Sequence, residues 1–230
     1  YNTALGDAAL YSNTTASNNT AVGYASLGAN TTGTQNVAVG AYALDANISS
    51  NNSTAIGYSA LSLNTGASNT AVGSQAMLDN TSGINNTAIG VNSLTNNTTA
   101  SFNIALGGSS LQANTTGASN TAVGYTALTA NTTASNNTAV GYRSLLANTT
   151  ASNNTAVGYQ SLYANTTGGD NTALGFTALD ANTTGASNVS LGSYSLSANT
   201  TGGTNVAVGD AALLSNTTAS NNVAVGKDSL

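Results

Sequence analysis

Residues 137–153 read NTAVGYRSLLANTTASN, and this seventeen-residue repeat recurs along the whole chain of 230 residues. A glycine at the fifth place marks every copy, and successive glycines are seventeen residues apart except for sixteen between Gly57 and Gly73. A short fixed period is typical of repeat architectures, in which each repeat buries its apolar side chains only by stacking on its neighbours. Fourteen copies fill residues 1–230 without a linker, so the sequence predicts a single continuous repeat array.

The composition of the repeat favours β-structure over helices. Its seventeen residues are too few for a helix–turn–helix repeat, which needs about 34. Numbered from the leading asparagine, positions 1 to 5 alternate branched and small residues, which is the two-residue period of a strand. The glycine at position 5 predicts a positive φ or a close backbone approach. A second extended segment is expected to carry the leucine of position 9.

Positions 12 to 16 of the repeat predict a turn. They hold Asn-Thr-Thr followed by small or polar residues, and asparagine accepts the left-handed conformation that turns often need. The one short copy lacks a threonine at this place, in the stretch Asn64-Thr-Gly-Ala-Ser. Because a deletion inside a strand would move every later side chain to the wrong face, the missing residue also indicates a loop.

These observations predict an all-β fold, a parallel β-solenoid or β-roll of fourteen 17-residue coils. Side chains at positions 2, 4 and 9 are expected to point inward, and the nearly constant alanine of position 3 is expected to face outward. The repeated asparagines predict ladders in which stacked amides donate and accept along the axis of the stack. Charged residues are rare because a charge repeated in every coil would repel its own copies.

The composition of the chain excludes most kinds of catalytic and metal-binding site. The chain has two cations and seven acidic residues, all aspartate, and it contains no histidine or cysteine, so it lacks an imidazole base, a thiolate and soft-metal ligands. Two cations cannot neutralise a run of nucleic-acid phosphates. The aspartates fall at five different positions of the repeat and form no cluster. The sequence therefore predicts no enzyme, no cofactor, no metal site and no nucleic-acid partner, and it has no apolar stretch long enough to span a membrane.

The runs NVAVGAYAL at residues 36–44 and NVAVGDAAL at 205–213 resemble the head repeats of trimeric autotransporter adhesins. The whole array is similar to the NTAVGY…L…NTTG repeats of phage tail-fibre and bacterial surface-fibre proteins. This resemblance implies an extracellular fibre on a cell or virion surface, built from parallel copies of the chain, often as a homotrimer. Since the terminal copies are as regular as the middle ones, we expect an excerpt of a longer fibre or chains joined end to end.

Two sets of side chains are candidate contact surfaces. The first is the alanine of position 3, expected outward and close to a neighbouring chain, and its candidates are Ala21, Ala122, Ala139 and Ala156. The second is an aromatic stripe at position 6, with the candidates Tyr24, Tyr125, Tyr142 and Tyr159. The stripe predicts either packing between chains or an adhesin shaft that binds glycans or a host surface.

Position 12 matches the acceptor pattern for N-glycosylation. The candidate acceptors are Asn13, Asn30, Asn97, Asn114, Asn131, Asn148, Asn165, Asn182, Asn199 and Asn216. The alternative is that the Asn-Thr-Thr stretch supplies turn chemistry alone.

The favoured function is a structural subunit that gives mechanical reach and surface display. Regular threonine columns also suggest ice binding, which requires a flat outward array of threonines. Valine or isoleucine replaces the threonine of position 2 in five copies. Because this replacement favours an inward side chain, ice binding is the least favoured of the three functions.

Overall fold

The computed structural model describes residues 1–230 and shows the all-β parallel β-solenoid that the repeat predicts. Each coil contributes one three-residue strand at positions 2 to 4 of the repeat. The chain divides into two compact units, Tyr1–Ala118 and Ser119–Leu230. The first unit contains β1 (Thr3–Leu5), β2 (Thr20–Val22), β3 (Val37–Val39), β4 (Thr54–Ile56), β5 (Thr70–Val72), β6 (Thr87–Ile89) and β7 (Ile104–Leu106). The second contains β8 (Thr121–Val123), β9 (Thr138–Val140), β10 (Thr155–Val157), β11 (Thr172–Leu174), β12 (Val189–Leu191), β13 (Val206–Val208) and β14 (Val223–Val225).

Within each unit, every strand pairs in parallel with the strand of the next coil, and equivalent positions face each other. Thr138 is in register with Thr155 in the second unit. In the first unit Thr54 is in register with Thr70 although these residues are sixteen apart. The deletion leaves the strand register intact, so the predicted loop position of the missing residue is confirmed. That residues 1–230 form one continuous array remains a prediction.

The interior contains the side chains of positions 1, 3, 9 and 12. Leu145 and Leu162 at position 9 are fully buried, which confirms the inward leucine column. Ala139 and Ala156 at position 3 are also fully buried. Where serine replaces this alanine, Ser190 is buried as well and its hydroxyl donates to the Ser195 carbonyl at 2.8 Å. Position 3 therefore faces inward, and the predicted outward alanine was wrong.

Positions 2 and 4 face outward in consequence, because side chains alternate along a strand. Thr138 and Val140 flank the buried Ala139 and are half-buried. The prediction that both positions point inward was therefore wrong. A three-residue strand of Thr-Ala-Val places its smallest side chain inside, where the narrow interior also has to hold two asparagines and a leucine from a typical coil. The larger branched residues cover the outside.

Each strand ends at the glycine of position 5, whose φ lies between +125° and +143° in all fourteen copies. The predicted positive φ is confirmed. The residues that follow form a tight turn rather than the predicted second extended segment, because position 7 is left-handed in all fourteen coils and position 9 in thirteen of them. Arg143 and Leu145, for example, have φ of 55° and 52°. The turn directs the leucine into the interior while its backbone remains bonded to the adjacent coil, as in the bond from Leu145 N–H to the Ser161 carbonyl at 3.0 Å.

No helix of the structure is long and apolar enough to cross a membrane.

Candidate functional site

The first repeated polar feature is an asparagine ladder at position 12, inside each unit. Asn148 Nδ2 donates to Asn131 Oδ1 of the preceding coil at 3.1 Å, and Asn165 Nδ2 donates to Asn148 Oδ1 at 3.0 Å. Asn148 Nδ2 also donates to the Ala151 carbonyl at 2.9 Å, within the turn of its own coil. The predicted ladder is confirmed. Its bonds join neighbouring coils through the interior, in addition to the backbone bonds between strands.

A second asparagine column, at position 1, holds the start of each strand. Asn137 Oδ1 accepts from the backbone N–H of Asn154 at 2.9 Å. Asn137 Nδ2 donates to the Ala151 carbonyl at 2.9 Å, the same oxygen that accepts from Asn148. In most coils one inward carbonyl thus receives two asparagine amides, which tie the turn to the beginning of the strand; the coils that start with Ser53 and Asn154 are exceptions, and Asn154 Nδ2 is buried without a partner. Because an unpaired buried carbonyl is destabilising, these amides stabilise the closed coil.

The short coil interrupts the position 12 ladder. Asn64 Nδ2 donates to the Gly66 carbonyl at 2.7 Å, two residues on instead of three. The Oδ1 atom of Asn47 in the preceding coil is buried and has no hydrogen-bond partner. The deletion is accommodated by the turn, but the rearranged turn leaves one ladder acceptor unpaired.

The ladder contradicts the glycosylation prediction in the folded chain. A glycan replaces a hydrogen on Nδ2 and needs space around that atom, but these Nδ2 atoms are committed to hydrogen bonds inside the solenoid. The candidate acceptors that are fully buried are Asn30, Asn97, Asn114, Asn131, Asn148, Asn165, Asn182 and Asn199. Asn13 and Asn216 are partly exposed, and their Nδ2 atoms also donate inward, to the Ala16 and Ala219 carbonyls at 3.3 and 3.0 Å.

The candidate alanine interface is contradicted for the same geometric reason. Ala21, Ala122, Ala139 and Ala156 have no exposed surface, so they cannot contact a neighbouring chain. The outward surface of each strand is formed by positions 2 and 4, which we call the strand face. One signal in the sequence indicates this orientation. A stacked asparagine ladder at position 1 is favoured in a buried setting, and positions 1 and 3 lie on the same side of a strand, so the alanine of position 3 is buried with it.

The aromatic stripe at position 6 lies on the outside, as the sequence predicts, and is best developed in the second unit. Tyr125, Tyr142, Tyr159 and Phe176 are between 39% and 56% exposed. Successive ring centroids are 6.0, 5.3 and 5.1 Å apart, and the interplanar angles are 14°, 11° and 8°. The rings therefore stack face to face along the solenoid and present their edges to solvent. Arg143 adds a cation above the Tyr142 ring, with Cζ 5.2 Å from the centroid.

The stripe in the first unit is shorter and differently packed. Tyr42 contacts Tyr24 and Tyr58 edge to face, with centroids 5.3 and 6.1 Å apart. Tyr42 belongs to position 7, so the row bends by one residue in its coil. The sequence located Tyr24 in the stripe but missed Tyr42, because its neighbour at position 6 is Ala41.

The remaining charged and polar groups are dispersed. Lys227 and Asp210 form an exposed ion pair at 3.8 Å, and Asp180 accepts from the Ser197 hydroxyl at 2.7 Å. The structure contains no group of three or more acidic, histidine or cysteine side chains that could hold a metal ion. Neither a protein-family model nor a curated protein matches this chain. The repeated surfaces, the aromatic stripe and the strand face, are therefore the candidate functional sites.

Proposed function

We propose that this chain is a structural subunit of an extracellular fibre, which gives mechanical reach and displays surfaces repeated at every coil. The proposal rests on the hydrogen bonds that interior side chains make between neighbouring coils. Besides the strand pairing, most neighbouring coils within each unit are joined by two asparagine columns, and many coils add a bond from the threonine of position 13. The Thr149 hydroxyl, for example, donates to the Thr166 carbonyl at 3.3 Å. Such cross-links resist separation of neighbouring coils.

A load-bearing role predicts stepwise extension under force. Pulling one molecule from its two ends with optical tweezers should release the structure one coil or a few coils at a time, since repeat proteins are stabilised mainly by contacts between neighbours. One coil of seventeen residues spans about 60 Å when extended, and its removal shortens the stack by about 4.8 Å. The expected step is therefore about 55 Å or a multiple of it.

The matched control is the exposed substitution Asn136→Asp, which should leave the force and the step length unchanged. A smooth extension at forces typical of an unfolded chain, with no steps, would show that the interior ladders do not bear load and would contradict the proposed function.

The aromatic stripe supports self-association of the fibre chains. Aromatic side chains are enriched in the cores of protein interfaces, and the stripe of the second unit is an uninterrupted row of four exposed rings. Sugars bind aromatic residues by stacking on an open ring face, whereas here neighbouring rings cover one another's faces. This geometry favours packing against another copy of the chain over the alternative of a glycan-binding adhesin shaft.

Removing two central rings of the stripe tests this contact. We expect the wild-type chain to form a homo-oligomer, a trimer if the resemblance to adhesin heads extends to assembly, and Tyr142→Ser with Tyr159→Ser to yield monomers in light scattering after gel filtration. Tyr163→Ser is the matched control, because Tyr163 lies at position 10, away from the stripe. A wild-type chain that is monomeric at all concentrations, or a double variant that keeps the wild-type mass, would refute self-association through the stripe.

A further inference from the structure

The strand face of the second unit contains a regular two-column array over four consecutive strands. Its first column is Thr121, Thr138, Thr155 and Thr172, at position 2. Its second column is Val123, Val140, Val157 and Leu174, at position 4. The strands pair in strict register from β8 to β11, so each residue lies directly beside its own equivalent in the next coil.

The threonine hydroxyls of this array are free. None of the hydroxyls of Thr121, Thr138, Thr155 and Thr172 makes a hydrogen bond within the chain, and all four side chains are half-exposed. Threonines elsewhere in the repeat behave differently: the hydroxyls of Thr166 and Thr183 at position 13 donate to the carbonyl of the next coil, both at 3.0 Å. The hydroxyls of the strand face must therefore find their partners outside the chain.

The array combines these hydroxyls with methyl groups at fixed spacings and without charge. Equivalent residues are roughly 4.8 Å apart between strands, and positions 2 and 4 are about 6.6 Å apart along a strand. No charged residue occupies position 2 or 4 in any of the fourteen strands. A regular surface of this kind orders water, because water forms a cage around the methyl groups and the hydroxyls hold that cage in place by hydrogen bonds. The interval of roughly 4.8 Å between strands is close to the shorter repeat of water molecules in hexagonal ice.

We propose that the strand face of β8–β11 binds ice. The outward orientation of position 2 removes the sequence argument against this activity, which assumed an inward threonine. Valine and isoleucine replace threonine in strands outside this four-strand patch, for instance at Val37 and Val189, and they extend the methyl surface without adding charge. Ice binding goes beyond a mechanical role and does not depend on it.

A second copy of the chain fits this face less well than an ordered water lattice. A dry contact between two such faces would bury a row of hydroxyls, and burying a hydroxyl without a partner is destabilising. The array also lacks the aromatic, methionine and arginine side chains that are enriched at protein interfaces. Water molecules in a lattice satisfy every hydroxyl and surround every methyl group.

The test is thermal hysteresis and ice-crystal shaping by the full 230-residue chain. We expect the purified wild-type protein to lower the freezing point below the melting point and to facet growing ice crystals. Thr138→Tyr with Thr155→Tyr, which places bulky rings on the array, should reduce the hysteresis at least fivefold. Thr150→Tyr with Thr167→Tyr is the matched control: both residues are exposed at position 14, in the turn, and this variant should keep full activity.

Circular dichroism and gel filtration accompany each measurement to confirm that all three proteins are folded and to record their mass. A folded wild-type chain without hysteresis or crystal shaping overturns the proposal, as does equal loss of activity in the turn variant. If Thr138→Tyr with Thr155→Tyr instead converts an inactive oligomer to monomers, the strand face is a contact between chains and the ice-binding proposal is wrong. None of these outcomes bears on the force measurement, so the two functions are tested separately.

Discussion

Replacing Gly141 with alanine is expected to destabilise the second unit by about 4 kcal/mol, because two separate obstacles coincide there. Gly141 has a φ of +133°, a conformation that residues with a side chain rarely adopt. A Cβ atom built on it would lie 2.7 Å from the carbonyl carbon of Gly158 in the next coil and closer still to its oxygen. The obstructing atoms are backbone, held in place by strand pairing, so they cannot move aside without separating the coils.

Gly169→Ala is the matched control for this substitution. Gly169 lies at position 16, where another coil has Ala186, and the atom nearest to its added Cβ would be the Ser152 carbonyl oxygen at 3.2 Å. We expect a change within about 0.5 kcal/mol for this surface position. Guanidinium denaturation followed by circular dichroism measures both effects, and equal stability of the two variants would show that the coils are less closely stacked than described.

Replacing Asn148 with aspartate is expected to produce the second large loss, roughly 4 kcal/mol at pH 7. Asn148 is fully buried, and its Nδ2 atom donates to Asn131 Oδ1 and to the Ala151 carbonyl. A carboxylate has the same shape but no donor, so it would face both acceptors while carrying a buried charge. The substitution tests hydrogen bonding in the ladder with little change in volume.

The loss from Asn148→Asp should depend on pH. Burial and the facing acceptors raise the pKa of a carboxyl group at this place above its value in the unfolded chain. A raised pKa in the folded state means that stability is greatest below the unfolded value, near 4, and falls as the pH rises through the folded value. The difference from wild type should therefore shrink in acid, where the protonated carboxyl regains one donor.

Asn136→Asp makes the same chemical change at an exposed residue of position 17, where water can replace the long bond of 3.4 Å from Asn136 Nδ2 to Asn153 Oδ1. Its stability should follow that of the wild type from pH 3 to pH 8 to within about 0.5 kcal/mol. If Asn148→Asp is as stable as Asn136→Asp at neutral pH, the position 12 ladder contributes nothing to the fold.

The sequence predicted those features of the structure that follow from the seventeen-residue period of the repeat. The recurring glycine, Gly141 in its coil, predicted the end of each strand. The recurring asparagine, Asn148 in its coil, predicted a ladder, because equivalent amides can bond to one another only when the coils stack in register. The side of the strand that faces inward was predicted wrongly. Because valine is more hydrophobic than alanine, the sequence favoured Val140 over Ala139 for the interior. The asparagine of position 1 is buried, however, and side chains two residues apart lie on the same side of a strand. Ala139 at position 3 is therefore buried with this asparagine.

Features that depend on contacts between coils could not be predicted from the repeat. Leu145 adopts a left-handed φ of 52°, which is locally unfavourable by about 1–2 kcal/mol for a residue with a side chain. Only the stacked coils, which bury its side chain and bond its N–H, maintain it. The face-to-face packing of Tyr142 and Tyr159 likewise follows from the register of adjacent turns. The sequence placed these rings on the surface but could not show that they cover one another.

The asparagine ladder also has a direction. In both units the amides of position 12 donate to the preceding coil, as Asn97 does to Asn80 and Asn182 does to Asn165. Their dipoles are aligned, as peptide dipoles are along an α-helix, and they add from coil to coil instead of cancelling. The ladder by itself therefore places partial positive charge at its end nearer the amino terminus of each unit and partial negative charge at its other end. Backbone bonds that donate to the following coil, such as the one from Leu145 N–H to the Ser161 carbonyl, point the other way, so they offset part of the polarity of the ladder.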